Sequence, residues 1–457
     1  MTLIKENFVG KKITIMGLGL LGRGIGDAIF FAEAGAEVIV TDLKTEKDLE
    51  SSVKQLEKYK NITFVLGEHR LRDFEDRDFV LKAAGVPLDS PFIDHARKRS
   101  IPIEMDASLF ARLAPEGVMI IGVTGTRGKT TTTSLIYQLI QKSFEGSDHN
   151  VFLGGNIRGM ATLPLIDKVK EGDIVVMELD SWQLQGFGES KISPHISVFT
   201  NFMNDHLNYY KGDLDKYLDD KAQIFLHQKE DDYLVVLPEV LKFLKEHYSG
   251  NISGQIKTAP VEDFSDFNLI IPGGHNRGNA TLAIMVGKIL NISPEITKEV
   301  VENFTGVDGR LQFITTYKGV KIFNDTTATT PDATLVGLRA LDQGKKNIVL
   351  IMGGADKTLD MSALERALPE YCQHVVLLDG TGTRKLQLKD GDDFKLHTVK
   401  NLEEAFAKAI ELAKGGGTLL FSPAFASFGL FKNEYDRGDQ FMKLVEKLVM
   451  DYPSVTF

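Results

Sequence analysis

A chain of 457 residues that is 43% hydrophobic is long enough for about two to four domains, each with its own core. Its net charge of −10 argues against a nucleic-acid or anionic-membrane surface. The single cysteine, Cys372, excludes an internal disulfide and a cysteine-ligated metal, fits a reducing compartment and reads as a small buried hydrophobe. No cleavable leader pattern and no run of membrane-spanning length is seen, so a cytoplasmic protein with no membrane partner is expected.

In chain order, residues 12–16 read as a strand, Gly17-Leu18-Gly19-Leu20-Leu21-Gly22 as a tight turn, and the following stretch to about Ala34 as a helix. Residues 37–41 form a second strand ending at Asp42, twenty positions after Gly22. This is a βαβ unit with GxGxxG and a trailing acid, the pattern of a dinucleotide site. The turn asks only for a pyrophosphate at a helix N-terminus, which NAD and UDP-sugars both supply. Asp42 can accept from a ribose hydroxyl or a uracil N–H, and tight helix–strand packing alone also explains the glycines. Strands at 62–66 and 79–83 follow, and loop chemistry at 114–117 closes the first domain.

The most specific stretch is Gly122-Val123-Thr124-Gly125-Thr126-Arg127-Gly128-Lys129-Thr130-Thr131. An apolar strand at 118–121 precedes it and a helical pattern follows, so strand, glycine-rich loop, Lys-Thr and helix stand in the order of a phosphate-binding loop. Backbone N–H groups of Gly125, Thr126, Gly128 and Thr131 would surround phosphate oxygens. Lys129 adds a cation and Thr130 a hydroxyl for Mg²⁺. The spacing departs from the strict pattern, since the first glycine falls one residue early and Gly125 is extra. ATP is the expected ligand.

Strands at 173–179 and 196–200 carry Glu178 and, just beyond, His206 to the same sheet edge as Lys129, where ligands of open α/β sheets sit. Both suit Mg²⁺ directly or through water, against a solvated strand-end charge and a capping histidine. A helix is expected over 213–227, with Lys221 on its apolar stripe beside Leu214, Tyr217, Leu218 and Phe225. Three readings stay open for Lys221: snorkelling to the surface, an ammonium aimed into the site, or a carbamate formed with CO₂ that could bind Mg²⁺. Asn276 and Asn279, before a helix at 280–290, suit an adenine or ribose contact or a helix cap. A third α/β segment has strands at 320–323, 348–352, 375–378 and 418–421. Polar loops end three of them, at 324–331, 353–357 and 422–427, and form a second ligand edge.

Together these residues resemble the Mur ligases along essentially the whole chain. The likeness rests on the phosphate loop through Lys129, Gly155-Asn156-Ile157-Arg158-Gly159, Glu178 to Gln183, Asn204-Asp205-His206, Lys221, His275-Asn276 with Asn279, Phe304-Thr305-Gly306 with Arg310, Asn324-Asp325, and Ser422 to Ser427. It is nearest to the glutamate-adding members. The resemblance implies an α/β protein of three domains: a Rossmann-like N-terminal domain (1–114), a central P-loop ATPase-type domain with a parallel sheet (115–306) and a Rossmann-like C-terminal domain (307–457). It implies an ATP- and Mg²⁺-dependent ligase, acting as a monomer, joining glutamate to UDP-N-acetylmuramoyl-L-alanine through an acyl phosphate in peptidoglycan precursor synthesis. Gly19, Leu20, Leu21 and Asp42 would hold the UDP part, and Asn156 would touch substrate. Thr130, Glu178, His206 and carbamylated Lys221 would be the metal ligands. Asn276, Asn279, Arg310 and Asp325 would hold the nucleotide, with closure bringing the last two over it. Thr329, Lys357 and Ser427 would receive the glutamate, D-glutamate being expected.

Three positions depart from the family. Thr327 replaces a lysine, Glu434 an aromatic residue and Arg127 an asparagine. The first two fall where the amino acid should bind, so L-glutamate or another amino acid is the alternative. Two rival classes are an NAD-dependent oxidoreductase, which leaves the phosphate loop unexplained, and a non-catalytic nucleotide binder, which leaves the metal-ligand set unexplained.

Overall fold

The computed structural model describes residues 3–19, 22–157, 159–206 and 209–450. The chain forms two compact units, one of Met1–Asp266 with Gly278–Val300, the other of Phe267–Arg277 with Val301–Phe457. The first unit holds two parallel sheets. In the N-terminal sheet β1 (Lys12–Met16), β2 (Glu37–Asp42), β3 (Ile62–Leu66), β4 (Phe79–Lys82) and β5 (Ile103–Glu104) lie in the order β3-β2-β1-β4-β5. In the central sheet β6 (Met119–Thr124), β7 (Val151–Gly155), β8 (Ile174–Glu178), β9 (Ile196–Phe199), β10 (Tyr233–Val236) and β11 (Gln255–Lys257) lie in the order β11-β10-β9-β6-β8-β7. Strands β6, β8 and β9 are buried almost throughout, as a sheet with both faces covered requires.

The second unit carries β12 (Gln312–Tyr317), β13 (Val320–Asn324), β14 (Ile348–Gly353), β15 (Cys372–Leu378), β16 (Lys395–Val399) and β17 (Thr418–Phe421) in the order β12-β13-β17-β14-β15-β16. Only β12 runs antiparallel to its neighbour. Lys318 and Gly319, both at positive φ, make the two-residue turn that joins it to β13. Apolar clusters cover both faces of this sheet, one around Leu338, Leu350 and Leu368, the other around Phe406, Phe421 and Phe441. Cys372 is fully buried, and burial pushes its thiol far above the ordinary range, which suits a core residue. No helix of the described residues is long and apolar enough to cross a membrane.

Two expected helices differ in extent. The one at 213–227 stops at Ala222, after starting from an Asp213 side chain that accepts from the Lys216 N–H. Beyond it, Ser193 donates to the Gln223 carbonyl and Ser197 to the Ile224 carbonyl. The side chains of the neighbouring segment thus take acceptors that a longer helix would use. The helix at 280–290 instead begins earlier, at Gly274. Asn276 secures its start by donating to the Pro272 carbonyl at 2.7 Å.

Candidate functional site

In the central sheet the chain leaves β6, visits β7 and β8 on one side, then crosses to β9 on the other. The crevice past the ends of β6 and β9 is therefore the switch point at which such sheets bind ligands. The glycine-rich loop sits there, fastened to the segment after β9. Thr126 N–H donates to the Asn201 carbonyl, Arg127 N–H to the Asn201 side chain, and the Thr126 hydroxyl pairs with the Met203 backbone. Gly125, at φ +139°, has no room for a side chain, because a Cβ would lie 2.0 Å from the Thr200 hydroxyl. Gly128 is equally confined: its Cβ would lie 2.3 Å from the Asn279 side-chain oxygen. That oxygen also accepts from Thr132. Asn279 therefore braces the loop, while Thr130 and Thr131 lie in the first turn of the helix Lys129–Ser143.

Lys129 bends back over the loop and donates to the Gly125 and Thr126 carbonyls at 3.1 Å each. Lys221 reaches the same Gly125 carbonyl at 2.8 Å and lies over the Tyr217 ring. Its side chain is 1% exposed. The snorkelling reading is therefore corrected: the ammonium ends in the interior, not at the surface. Burial first, and then the Lys129 charge, hold its basicity well below that of an ordinary lysine.

The register of β6 and β8 pairs Val123 with Glu178, one residue short of the loop. Glu178 is buried and its Oε2 finds no hydrogen-bond partner among the described residues. Asn156 stands beside it, its N–H on the Glu178 carbonyl at 2.7 Å and its amide on Oε1 at 3.5 Å. His206 takes a positive φ and its ring lies tilted against Trp182, centroids 4.9 Å apart. Burial, the largest influence, lowers its basicity, and the Lys129 and Lys221 charges add to that. The imidazole is thus biased toward the neutral, ligating form. Among the described residues no three His, Cys, Asp or Glu side chains gather to hold a metal by themselves. The orphaned Glu178 oxygen fits Mg²⁺ all the same, because that ion takes few protein ligands and completes its shell with phosphates and water. Arg127 lies 3.7 Å from Asp205 at the rim.

The N-terminal sheet has its own switch point between β1 and β4. A cleft of about 760 Å³ opens there, lined by Gly17, Gly19, Asp42 and the 83–87 loop. Asp42 already accepts from the Leu18, Gly19 and Lys44 N–H groups. Those three bonds fix the shape of the glycine turn. Leu20 and Leu21, like Arg158, lie outside the described residues. Lys82 is buried at the same edge and donates to the Val86 carbonyl, holding the 83–87 loop in place.

In the second unit the loops after β13, β14 and β17 meet. Lys357 donates to the Thr329 hydroxyl at 2.9 Å. Ala355 pairs with Ala426, next to buried Ser427. Thr327, in the family's lysine position, turns its hydroxyl to the Gly309 carbonyl. Glu434 lends its negative charge to Lys357 and Arg437. Arg437 is wholly buried and donates to the Thr326 and Phe425 carbonyls. It was not singled out from sequence, although it shares the helical stripe of Phe441 and Val445, a cation on an apolar face just as Lys221 is. Arg310 is exposed; Asn276 is occupied by its helix-start bond.

Asp325 accepts from Ser422 and from the Leu311 N–H, yet burial pushes its carboxyl from 3.8 up to about 7. Between those values the folded chain keeps a proton that the unfolded chain has lost, so its stability falls as pH rises from about 4 to 7. Asp325→Asn removes this penalty. Its melting temperature is expected to exceed the parent's by about 3 °C at pH 8 and to approach it as pH falls to about 4, read by calorimetry.

Residues 123–287 match the Mur ligase middle domain, and residues 309–425 match the Mur ligase glutamate ligase domain. The chain is 33% identical to the UDP-N-acetylmuramoylalanine–D-glutamate ligase of Borreliella burgdorferi, across 95% of this chain and 97% of that protein. It is 34% identical to the ligase of the same name from Roseiflexus, across 96% and 98%. Among solved structures, MurF of Thermotoga maritima in complex with ADP superposes with a TM-score of 0.58 at 16% identity, covering 98% of this chain and 97% of that one. MurC of the same organism gives 0.57 at 22% identity, covering 96% and 100%. These structures share the three-domain α/β fold.

Proposed function

The chain belongs to the Mur ligase family, and on that premise we propose that it joins glutamate to UDP-N-acetylmuramoyl-L-alanine at the expense of ATP. The observation that carries this reading is the convergence of Lys129 and Lys221 on one carbonyl of the phosphate loop, with the unpartnered Oε2 of Glu178 at the end of the adjacent strand. Two anions, a triphosphate and a carboxylate, must meet for the reaction to start, and this edge supplies the opposing charge.

Lys129 neutralises the phosphates, while the N–H groups of the loop and helix start orient them. The substrate carboxylate attacks the terminal phosphorus, giving an acyl phosphate and ADP. The amine of the amino acid then attacks the acyl carbon, phosphate leaves, and the nitrogen sheds a proton. Bound Mg²⁺ would offset charge on the transferring phosphoryl group. Thr130, Glu178 and His206 would hold it, together with a carbamate on Lys221. The amine of Lys221 suits carbamate formation because burial lowers its basicity and so favours the uncharged, nucleophilic form: Lys-NH₂ and CO₂ give Lys-NH-CO₂⁻ and a proton. Asn156 would contact the substrate beside Glu178, and Asn279, Arg310 and Asp325 the nucleotide.

Thr329, Lys357 and Ser427 would receive glutamate. D-glutamate is the first reading, from the names of the relatives. L-glutamate is the second, left open by Glu434 and Thr327, which depart from the family beside those residues. Phosphate release with UDP-N-acetylmuramoyl-L-alanine, ATP and a panel of D- and L-amino acids tests both. Release with D-glutamate alone supports the first reading and with L-glutamate alone the second. NAD(P)H consumption without phosphate release would overturn both.

A further inference from the structure

Trp182 is the sole tryptophan of the chain and lies in the first turn of the helix Ser181–Ser190, just after β8 and Glu178. A capping box fixes that helix start: Asp180 accepts from the Gln183 N–H at 2.8 Å, and the Gln183 side chain accepts from the Asp180 N–H. The indole is thereby carried to the same strand end as Glu178. Its ring centroid lies 4.9 Å from that of His206 and 5.3 Å from that of Tyr209. Tyr209 meets Tyr210 at 4.8 Å, Tyr210 meets Tyr217 at 5.1 Å, and Tyr217 meets His206 at 5.7 Å. The rings close a cycle in which His206 is one member.

The tyrosines of this cycle are tied at their hydroxyl ends. Tyr209 accepts from Gln185, Tyr210 donates to Asp220, and Tyr217 pairs with the Thr126 hydroxyl of the phosphate loop. The His206 ring has no comparable tie, since its Nε2 lies 3.9 Å from the Asp205 carboxylate, beyond hydrogen-bond reach. A histidine that binds a metal ordinarily has its other ring nitrogen held by a carboxylate or carbonyl, which sets the orientation of the ring. Here that task falls to the two rings against the imidazole, Trp182 and Tyr217. The Trp182 N–H is buried with no partner among the described residues, so packing rather than a polar bond holds the indole.

We infer that Trp182 is a positioning residue: with Tyr217 it clamps the His206 imidazole in the orientation that a metal ion beside Glu178 requires. The inference rests on the placement of Mg²⁺ at Glu178 and His206. An indole presents a large flat face to the imidazole, and a ring already held loses little rotamer freedom when the ion arrives. Truncating the indole frees the imidazole and leaves Lys129 and the N–H groups of the phosphate loop in place. The loss should therefore fall on the metal and spare the nucleotide.

Calorimetry of Mg²⁺ added to the ADP complex tests this, with ADP binding in EDTA as the control and Trp182 fluorescence as a second readout. In the parent Mg²⁺ should bind and shift the fluorescence, and His206→Ala should remove the shift. Trp182→Ala should weaken Mg²⁺ binding by about tenfold. Trp182→Phe, which keeps a ring, should stay within about threefold of the parent. Metal-free ADP affinity should stay within about twofold in both variants. Unchanged Mg²⁺ affinity in Trp182→Ala would overturn the clamp. Equal losses with and without Mg²⁺ would overturn it too, because they mark a purely structural role. Should Trp182→Ala fail to fold, the parent decides: Mg²⁺ that binds by calorimetry without moving the fluorescence would overturn the clamp. A parent that binds no Mg²⁺, or a His206→Ala chain that binds it as well as the parent, would instead remove the metal site on which the clamp rests.

Discussion

Lys129→Ala is expected to abolish phosphate release, lowering kcat by about a thousandfold or more. The loop closes around backbone N–H groups, which carry partial charges only, and of its two full cations Arg127 turns to Asp205 at the rim while Lys129 folds back over the loop. Its present bonds go to two carbonyls of the same loop, which it can exchange for phosphate oxygens without unfolding anything. Alanine leaves those carbonyls to solvent at a half-buried position, so the fold should survive and the loss should be electrostatic. UDP binding in the N-terminal cleft provides the control. It should stay within about twofold of the parent, because that cleft lies on a different sheet edge. A variant that retains a tenth of the parent's rate would show that the loop's N–H groups and the metal suffice, and the role given to Lys129 would fall.

Much of this site is legible in the sequence because strand ends and loop glycines have local signatures. β1, β3 and β17 occupy the residues read for them, since uninterrupted apolar runs between turns admit little else. The order Gly125, Gly128, Lys129, Thr130 needed no tertiary information either. Lys221 was legible as an anomaly, a cation on an apolar stripe, but its target was not. Only the fold shows that its ammonium ends on the Gly125 carbonyl, 96 residues away in sequence. Short edge strands such as β11 and β16 were missed for a different reason. They are partly exposed and mixed in polarity, so no run of apolar residues announces them. The early end of the helix after Asp213 depends on serines thirty residues before it, a contact that no window of sequence contains.

Lys221→Ala separates the two remaining readings of that residue. If Lys221 works as a carbamate, the variant loses a negatively charged metal ligand. Its rate should fall about a hundredfold or more, and acetate or formate should restore about a tenth of the loss by filling the space left by the side chain. Stripping CO₂ from the parent should lower its rate, with recovery on adding bicarbonate, and the variant should not respond. If Lys221 works as an ammonium, it holds the Gly125 carbonyl and so the shape of the loop. The variant would then be impaired, carboxylates would not help, and CO₂ would not matter. Burial favours the first on physical grounds: a charged ammonium 1% exposed beside a second lysine has one carbonyl, one ring and the fields of Asp180, Asp205 and Asp220 to offset its desolvation. The uncharged amine avoids that cost and is the form that reacts with CO₂, after which the new anion faces Lys129 with opposite sign. A Lys221→Ala chain with full activity and no rescue would remove Lys221 from the metal site altogether.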